Sequence, residues 1–275
     1  MVRPVATPSA SFTGFGHEAL QFLVDLAGNN ERPWFQAHKQ DYERLLKQPL
    51  EALCVALADR FSARNIPLSA DPARSPFRIY RDVRFAKDKS PYKTHIAASF
   101  PWVGEGTGVD EAATTPPASE GTARTGGLAR IEGPARTEGP ARTEGTARTG
   151  GSLRDAGGYF HLSVESTFVG GGMWHPEPAR LAAFRTAVLT RPQRVLEAIE
   201  EPGFVRVFGS VRGDQLKRPP QGVPKDHPQV ELLKLKDVGF WRELTEEQIA
   251  SPRLPDLLAD TYAAALPVFR LLARL

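Results

Sequence analysis

Apolar residues recur at three- and four-residue spacing towards both ends of the chain and at every second position in its middle. Leu20, Leu23, Val24 and Ala27 form one stripe, which predicts a helix from about His17 to Ala27 that stops at Gly28-Asn29-Asn30. Pro33 suits the first turn of a second helix, whose stripe is Trp34, Phe35, His38, Tyr42, Leu45 and Leu46. Pro49 opens a third, Leu50 to Arg64, ended by Asn65-Ile66-Pro67. His38 in its apolar stripe reads as a hydrogen-bonded, partly buried residue rather than a ligand.

After a Pro/Ser/Asp loop the period changes to two. Phe77, Ile79, Arg81, Val83 and Phe85 share one parity; Arg78, Tyr80, Asp82 and Arg84 share the other, as in a half-buried strand. Ala86–Pro91 is a charged turn. Tyr92, Thr94, Ile96, Ala98 and Phe100 then alternate with Lys93, His95, Ala97 and Ser99, a second strand antiparallel to the first. From Tyr159, Phe160, Leu162 and Val164 alternate with His161, Ser163 and Glu165, a third strand. Gly170-Gly171-Gly172 reads as a bend, with an anion nest as the less favoured use.

Helices are expected again at Pro178–Leu189 and Arg191–Glu200, and a short strand at Phe204–Val207. Asp214–Lys225 is a basic, Pro-rich loop leading through His227 to Val230–Leu235. Lys236–Trp241 is ambiguous between strand and helix end. Thr245-Glu-Glu-Gln248 has the form of a capping box. A last helix runs from about Pro255 to Leu275 with a kink at Pro267. Helices, then strands, then helices predict an α+β fold: a mostly antiparallel sheet of three or more strands packed with N-terminal and C-terminal helices. Residues 1–14 read as a disordered tail and 15–275 as a single domain interrupted at 104–156.

That interruption is different material. Residues 121–150 are five tandem hexads, GTARTG, GLARIE, GPARTE, GPARTE and GTARTG. The fixed residues are Gly, Ala and Arg, so a hexapeptide β-helix would have nothing to bury, and disorder is expected. Growth of a surface loop between two strands costs little, because closure entropy rises slowly with length.

The formal charge of the 275 residues is +3. Residues 104–156 hold six Arg and eight acids; without them 29 bases face 24 acids, a surplus of five. This permits an anionic partner but is weaker than the footprint of a dedicated nucleic-acid binder. A single cysteine, Cys54, excludes an internal disulfide and sits at core spacing. No apolar run is long enough to span a membrane and no secretory signal is legible, so a cytoplasmic location is expected. GxGxxG, GxxxxGK[ST], CxxC, HExxH and GxSxG are all absent from the sequence, against a Rossmann enzyme, P-loop NTPase, zinc finger or α/β-hydrolase.

The chemistry is densest in FRIYRDVRFAKDKSPYKTH, residues 77–95. Arg81 shares the apolar parity and needs an interior partner, with Asp88, Glu165 or an acid of the first helices as candidates. The other face carries Arg78, Tyr80, Asp82 and Arg84, joined by Lys93 and His95 and, across the third strand, by His161, Ser163 and Glu165. Lys87, Asp88 and Lys89 lie in the turn, and Tyr92 follows it. Planar, cationic donors in this density suit a carboxylate or phosphate. Lys217 and Arg218 add cations from the later loop, and His95 and His227 are the acid–base candidates. Metal-ligand types can be picked out at Asp82, His95, His161, Glu165 and His227, but without ligand spacing in any one element.

Asn29-Asn30, Trp34-Phe35, Tyr42, the 77–95 segment, Gly170–Gly172 and LKRPPQGVPKDHPQVELLKLK resemble the family called domain of unknown function 2461 (DUF2461), over about residues 14–103 and 157–273. The insert departs from the usual short loop. The resemblance implies no particular activity, cofactor or partner. Three uses of the basic segment stay open. The favoured one is a site, with catalysis open, for an anionic small molecule. Another is a nucleic-acid or nucleotide module with Tyr80, Tyr92 or Trp34 as stacking platforms. The third is an interaction domain whose charges only hold the fold.

Overall fold

The computed structural model describes residues 11–84, 86–104 and 156–275. Four antiparallel strands, β1 His95–Pro101, β2 Gly157–Ser163, β3 Thr167–Met173 and β4 Val238–Glu243, lie in the order β1-β2-β3-β4. Helices come before and after them and between β3 and β4, so the α+β expectation holds. β1 pairs with β2 from His95↔Ser163 to Pro101↔Gly157. The insert thus links two neighbouring strands, as expected; residues 105–155, with the repeat, lie outside the described residues.

One sheet face carries Ile96, Ala98, Phe100, Phe160, Leu162, Val169, Met173 and Phe240, all buried. Helices α4 Gln48–Ala63, α7 Pro202–Phe208, α10 Leu254–Ala264 and α11 Leu266–Ala273 cover it. The Tyr262 hydroxyl of α10 donates to the Tyr159 carbonyl at 3.0 Å, and Phe15, just before α1 His17–Gly28, stacks on Phe160 at 5.9 Å. Arg60 of α4 forks onto Asp256 of α10 at 3.1 and 3.2 Å.

Gly170–Gly172 do not bend the chain; they sit inside β3. A side chain on Gly171 would strike the Phe269 ring at 2.7 Å, and one on Gly170 would strike the Phe240 carbonyl at 2.2 Å. The glycines let α11 and β4 approach closely, a use that a run of glycines does not announce.

Other expectations change for equally local reasons. Phe204–Val207 is not a strand but part of α7, because Pro202 starts a helix and the Glu201 carboxylate caps it by accepting from the Phe204 amide at 2.7 Å. Pro49 does not open a new helix. α3 Lys39–Tyr42 runs through a π-turn, Glu43–Lys47, straight into α4, and the Gln48 amide reaches back five residues to the Glu43 carbonyl. The widened turn takes up the register at Pro49, which has no N–H to give. The last helix is broken at Ala265 between α10 and α11, two residues before Pro267. Lys236–Trp241 resolves as the start of β4. The Thr245–Gln248 capping box forms as expected ahead of α9 Glu246–Ala250. Phe12, assigned to the tail, is 8% exposed and packs edge-on against Phe15, so packing begins before residue 15.

Candidate functional site

The Phe77–Val83 segment is extended but does not form a regular strand. The Phe77 amide donates to the Ala97 carbonyl of β1 at 2.9 Å. Two and four residues later the same segment has turned to its own return: Lys93 N donates to Ile79 O at 2.8 Å and Arg81 N to Pro91 O at 2.9 Å. Changing partner so quickly leaves single bridges, Pro76↔Ala98 and Tyr80↔Tyr92, rather than a ladder. The alternation survives: Ile79 is buried while Arg78, Tyr80 and Arg84 are exposed. Phe85 lies outside the described residues.

The charges of this hairpin are largely matched. Arg81 binds Asp88, one of the expected partners, but at the surface rather than in the core, since the Asp88 side chain is 61% exposed. Asp88 also accepts from the Ser90 hydroxyl at 2.6 Å and amide at 2.9 Å. The Ser90 and Arg81 bonds hold its carboxyl well below the usual carboxylate range. Arg84 forks onto Asp82 at 3.0 and 2.7 Å, and these bonds pull the Asp82 carboxyl down to about 2. Lys89 donates to the Val83 carbonyl at 2.9 Å. Lys87 is exposed in the turn.

Lys93 differs. It is half-buried, lies 5.4 Å from the centre of the Phe77 ring and has no acidic partner among the described residues. Burial first, and the nearby Arg78 charge second, push its pKa down to about 8. Arg78, exposed, has no ion pair among the described residues either. Two residues after Lys93 along the chain, His95 meets His161 with ring centroids 4.5 Å apart. They are diagonal neighbours, since Ala97 is the residue opposite His161. Burial, then the His161, Lys93 and Arg81 charges, lower the His95 pKa to about 3. Burial and Lys93 lower that of His161 to about 4. Both rings are therefore neutral at neutral pH. The Tyr159 hydroxyl lies 3.3 Å from His161 Nδ1, and Phe168 stacks on the His161 ring at 4.8 Å. A cationic end thus opens onto a neutral imidazole pair backed by Tyr159, Phe168 and Trp241 on one sheet face.

Several expected members are elsewhere. Tyr92 is 2% exposed and stacked on Phe35 at 4.0 Å, so it belongs to the core and offers no face to a ligand or base. Trp34 stacks on His38 at 4.1 Å, and His38 Nδ1–H donates to the Trp34 carbonyl at 2.8 Å, the structural role expected of that histidine. Glu165 is exposed in the tight turn between β2 and β3, because β2 ends at Ser163. Lys217, Arg218 and His227 belong to a loop beyond β4, held there by the Arg212↔Gly239 and Gln215↔Leu235 bridges. At about 4.8 Å per strand, roughly 14 Å separates β1 from β4, so that loop does not join the 77–95 cluster. His227 Nδ1 accepts from the Gln229 amide at 3.0 Å, a turn contact. Cys54 is buried and its thiol is pushed up to about 12, a core residue. Among the described residues no three His, Cys, Asp or Glu gather as a metal site, and no helix is long and apolar enough to cross a membrane.

Phe168 and Trp241, which complete the face, were not singled out from the sequence. They lie in segments whose strand pairing had to be known first. Asp237 is a further buried acid, 1% exposed, that accepts from the His175 amide at 2.7 Å; its carboxyl is pushed up by burial.

The molecule is thus an α+β protein with one helix-covered sheet face and, on the other, a histidine pair beside an uncompensated lysine. The chain belongs to the family described as conserved hypothetical protein, DUF2461, whose model matches residues 18–270. No curated protein and no solved structure matches it.

Proposed function

We propose that the protein binds a small carboxylated or phosphorylated molecule at the Lys93 end of the polar sheet face. Lys93 supplies the charge, Arg78 a second cation, and His95 a neutral hydrogen-bonding group. One observation carries the reading. Arg81 and Arg84 are matched by Asp88 and Asp82, whereas Lys93 is half-buried, unmatched by an acid among the described residues and held at a pKa of about 8. A buried cation without a counter-charge is costly, and an incoming anion removes that cost. His95, neutral near pH 7 and backed by the buried His161, positions a ligand rather than exchanging a proton with it, so binding is better supported than acid–base catalysis.

The hairpin itself supports a second, structural reading: its Arg81–Asp88 and Arg84–Asp82 pairs stiffen the connection to β1 and need no ligand. Calorimetric screening of carboxylated and phosphorylated metabolites separates the two. Binding above pH 8 takes up a proton, because the anion raises the Lys93 pKa, and Lys93→Met abolishes it. A ligand whose affinity is the same in Lys93→Met removes this face from consideration.

A further inference from the structure

A second charged feature lies away from the sheet face, between the end of α5 Pro178–Thr190, α6 Pro192–Ile199 and α11. Arg191, Arg194, Arg270 and Arg274 line one groove of about 140 Å3 whose floor is apolar, with Val195, Pro267 and Leu271 in it. No acidic side chain lines the groove, the main-chain carboxylate of Leu275 being the anionic group at its edge, and all four arginines are exposed. None of the four guanidiniums has an ion pair or hydrogen bond among the described residues. Elsewhere the chain pairs its arginines readily, as at Arg60, Arg64, Arg81 and Arg84.

Local helix energetics do not account for the cluster. Arg270 and Arg274 gain from the C-terminal end of α11 but repel each other at i,i+4. Arg191 and Arg194 sit at the start of α6, the end where a helix disfavours cations, with no acid in that first turn. Four guanidiniums converging from two helices, none matched by an acidic side chain, set up a local positive potential that attracts an anion.

We infer that this groove is a binding site for a phosphoanhydride chain, two or more linked phosphates. The groove is smaller than the roughly 300–1,000 Å3 that encloses a drug-sized organic ligand, so it fits a charged chain rather than a whole aromatic or lipid body. Guanidinium forks on both walls match phosphate oxygens in pairs, and the roughly three to five negative charges of such a chain go far towards balancing four positive ones. Nucleic acid is the less favoured source of phosphate, because the chain carries only a +3 surplus. The inference does not depend on the Lys93 site.

Isothermal titration of the full chain with orthophosphate, pyrophosphate, tripolyphosphate, ATP and a single-stranded oligonucleotide tests it. Tripolyphosphate and ATP are expected to bind more tightly than orthophosphate, with affinity falling as salt rises. The exposed double substitution Arg194→Gln/Arg270→Gln is expected to weaken them at least about tenfold without changing the melting temperature, while Lys93→Met leaves them unchanged. ATP equal to tripolyphosphate identifies the chain alone as the recognised part; ATP tighter adds a nucleoside contact, and both support the site. Three results overturn it: no heat with tripolyphosphate at low salt, affinity unaltered by the double substitution, or an oligonucleotide bound more tightly than tripolyphosphate through the same arginines.

Discussion

Asn30 grips Tyr92 through both of its backbone groups: the side-chain amide donates to the Tyr92 carbonyl at 2.9 Å and its oxygen accepts from the Tyr92 amide at 3.0 Å. A side chain after α1 thus acts as a one-residue strand for the basic hairpin, which has little ladder of its own. With Tyr92 stacked on Phe35 of α2 Arg32–Ala37, this contact fixes the entry to Lys93. Asn30→Ala leaves two part-buried backbone groups without partners and is expected to cost about 2 kcal/mol. Urea unfolding measures the loss. Hydrogen exchange at the Tyr92 amide should accelerate more than exchange in β2; equal acceleration throughout would show that the contact does not act on the hairpin in particular.

The glycines differ in what they contribute. Gly172 has φ +121°, and a side chain there would lie 2.0 Å from the Val238 carbonyl, so Gly172→Ala must move β4 or break the pairing. A loss of about 3 kcal/mol or more is expected. Gly28 ends α1 with open space for 4 Å around the position a side chain would take and no positive φ. Gly28→Ala is therefore expected to stabilise by about 0.5 kcal/mol through the unfolded chain. Thermal melts of the two variants should shift in opposite directions.

These glycines also mark how far the sequence could be read. The hydrophobic periods located α1, the hairpin return at Tyr92, β2 and the link across the insert, because each is a local alternation that burial enforces. The Arg81–Asp88 pair was legible because a nearby acid was available, although the pair lies at the surface and not in the core that the parity of Arg81 implied. Gly170–Gly172 was not legible, because a glycine accommodating the Phe269 ring looks the same in sequence as a glycine that turns the chain. The split of 77–95 between two pairing partners, the burial of Tyr92 and the remoteness of Lys217, Arg218 and His227 follow from tertiary placement. The arginine groove was missed because Arg191 and Arg194 are some eighty residues from Arg270 and Arg274 in the chain, and only packing of α6 on α11 brings them together.

The His95–His161 pair predicts acid sensitivity. Both pKa values are depressed from 6.5, to about 3 and about 4, so the unfolded chain binds protons that the folded protein does not. Their contribution is intact above about pH 6.5 and is lost as pH falls towards 4. A fall of about 3 kcal/mol in stability between pH 7 and 4.5 is expected from the two, after allowing for partial solvent access at His95. Asp82, held at about 2, changes its contribution only below its usual 3.8, outside this window. His161→Phe keeps the stacking on Phe168 and should flatten the decline; chemical denaturation across this range measures it. A profile as steep as that of the parent would place the sensitivity elsewhere.

Lys93 gives the sharpest test, because function and stability pull against each other there. A pKa of about 8 against 10.5 corresponds to roughly 3 kcal/mol of unfavourable burial of the charged form, reduced by the solvent that still reaches the ammonium. Lys93→Met keeps the contact with Phe77 and removes the charge, so at pH 7 it is expected to stabilise the protein by about 1 kcal/mol. The folded pKa is the depressed one, so the parent recovers stability as pH rises from 8 to 10.5 and the advantage of Lys93→Met shrinks over that range. Denaturant melts of both proteins at pH 7 and pH 10 measure the difference. A variant that is more stable yet cannot bind the anion is what a lysine kept for its charge predicts. A variant destabilised at pH 7 would mean that Lys93 has a favourable partner and that the proposed site has lost its main support.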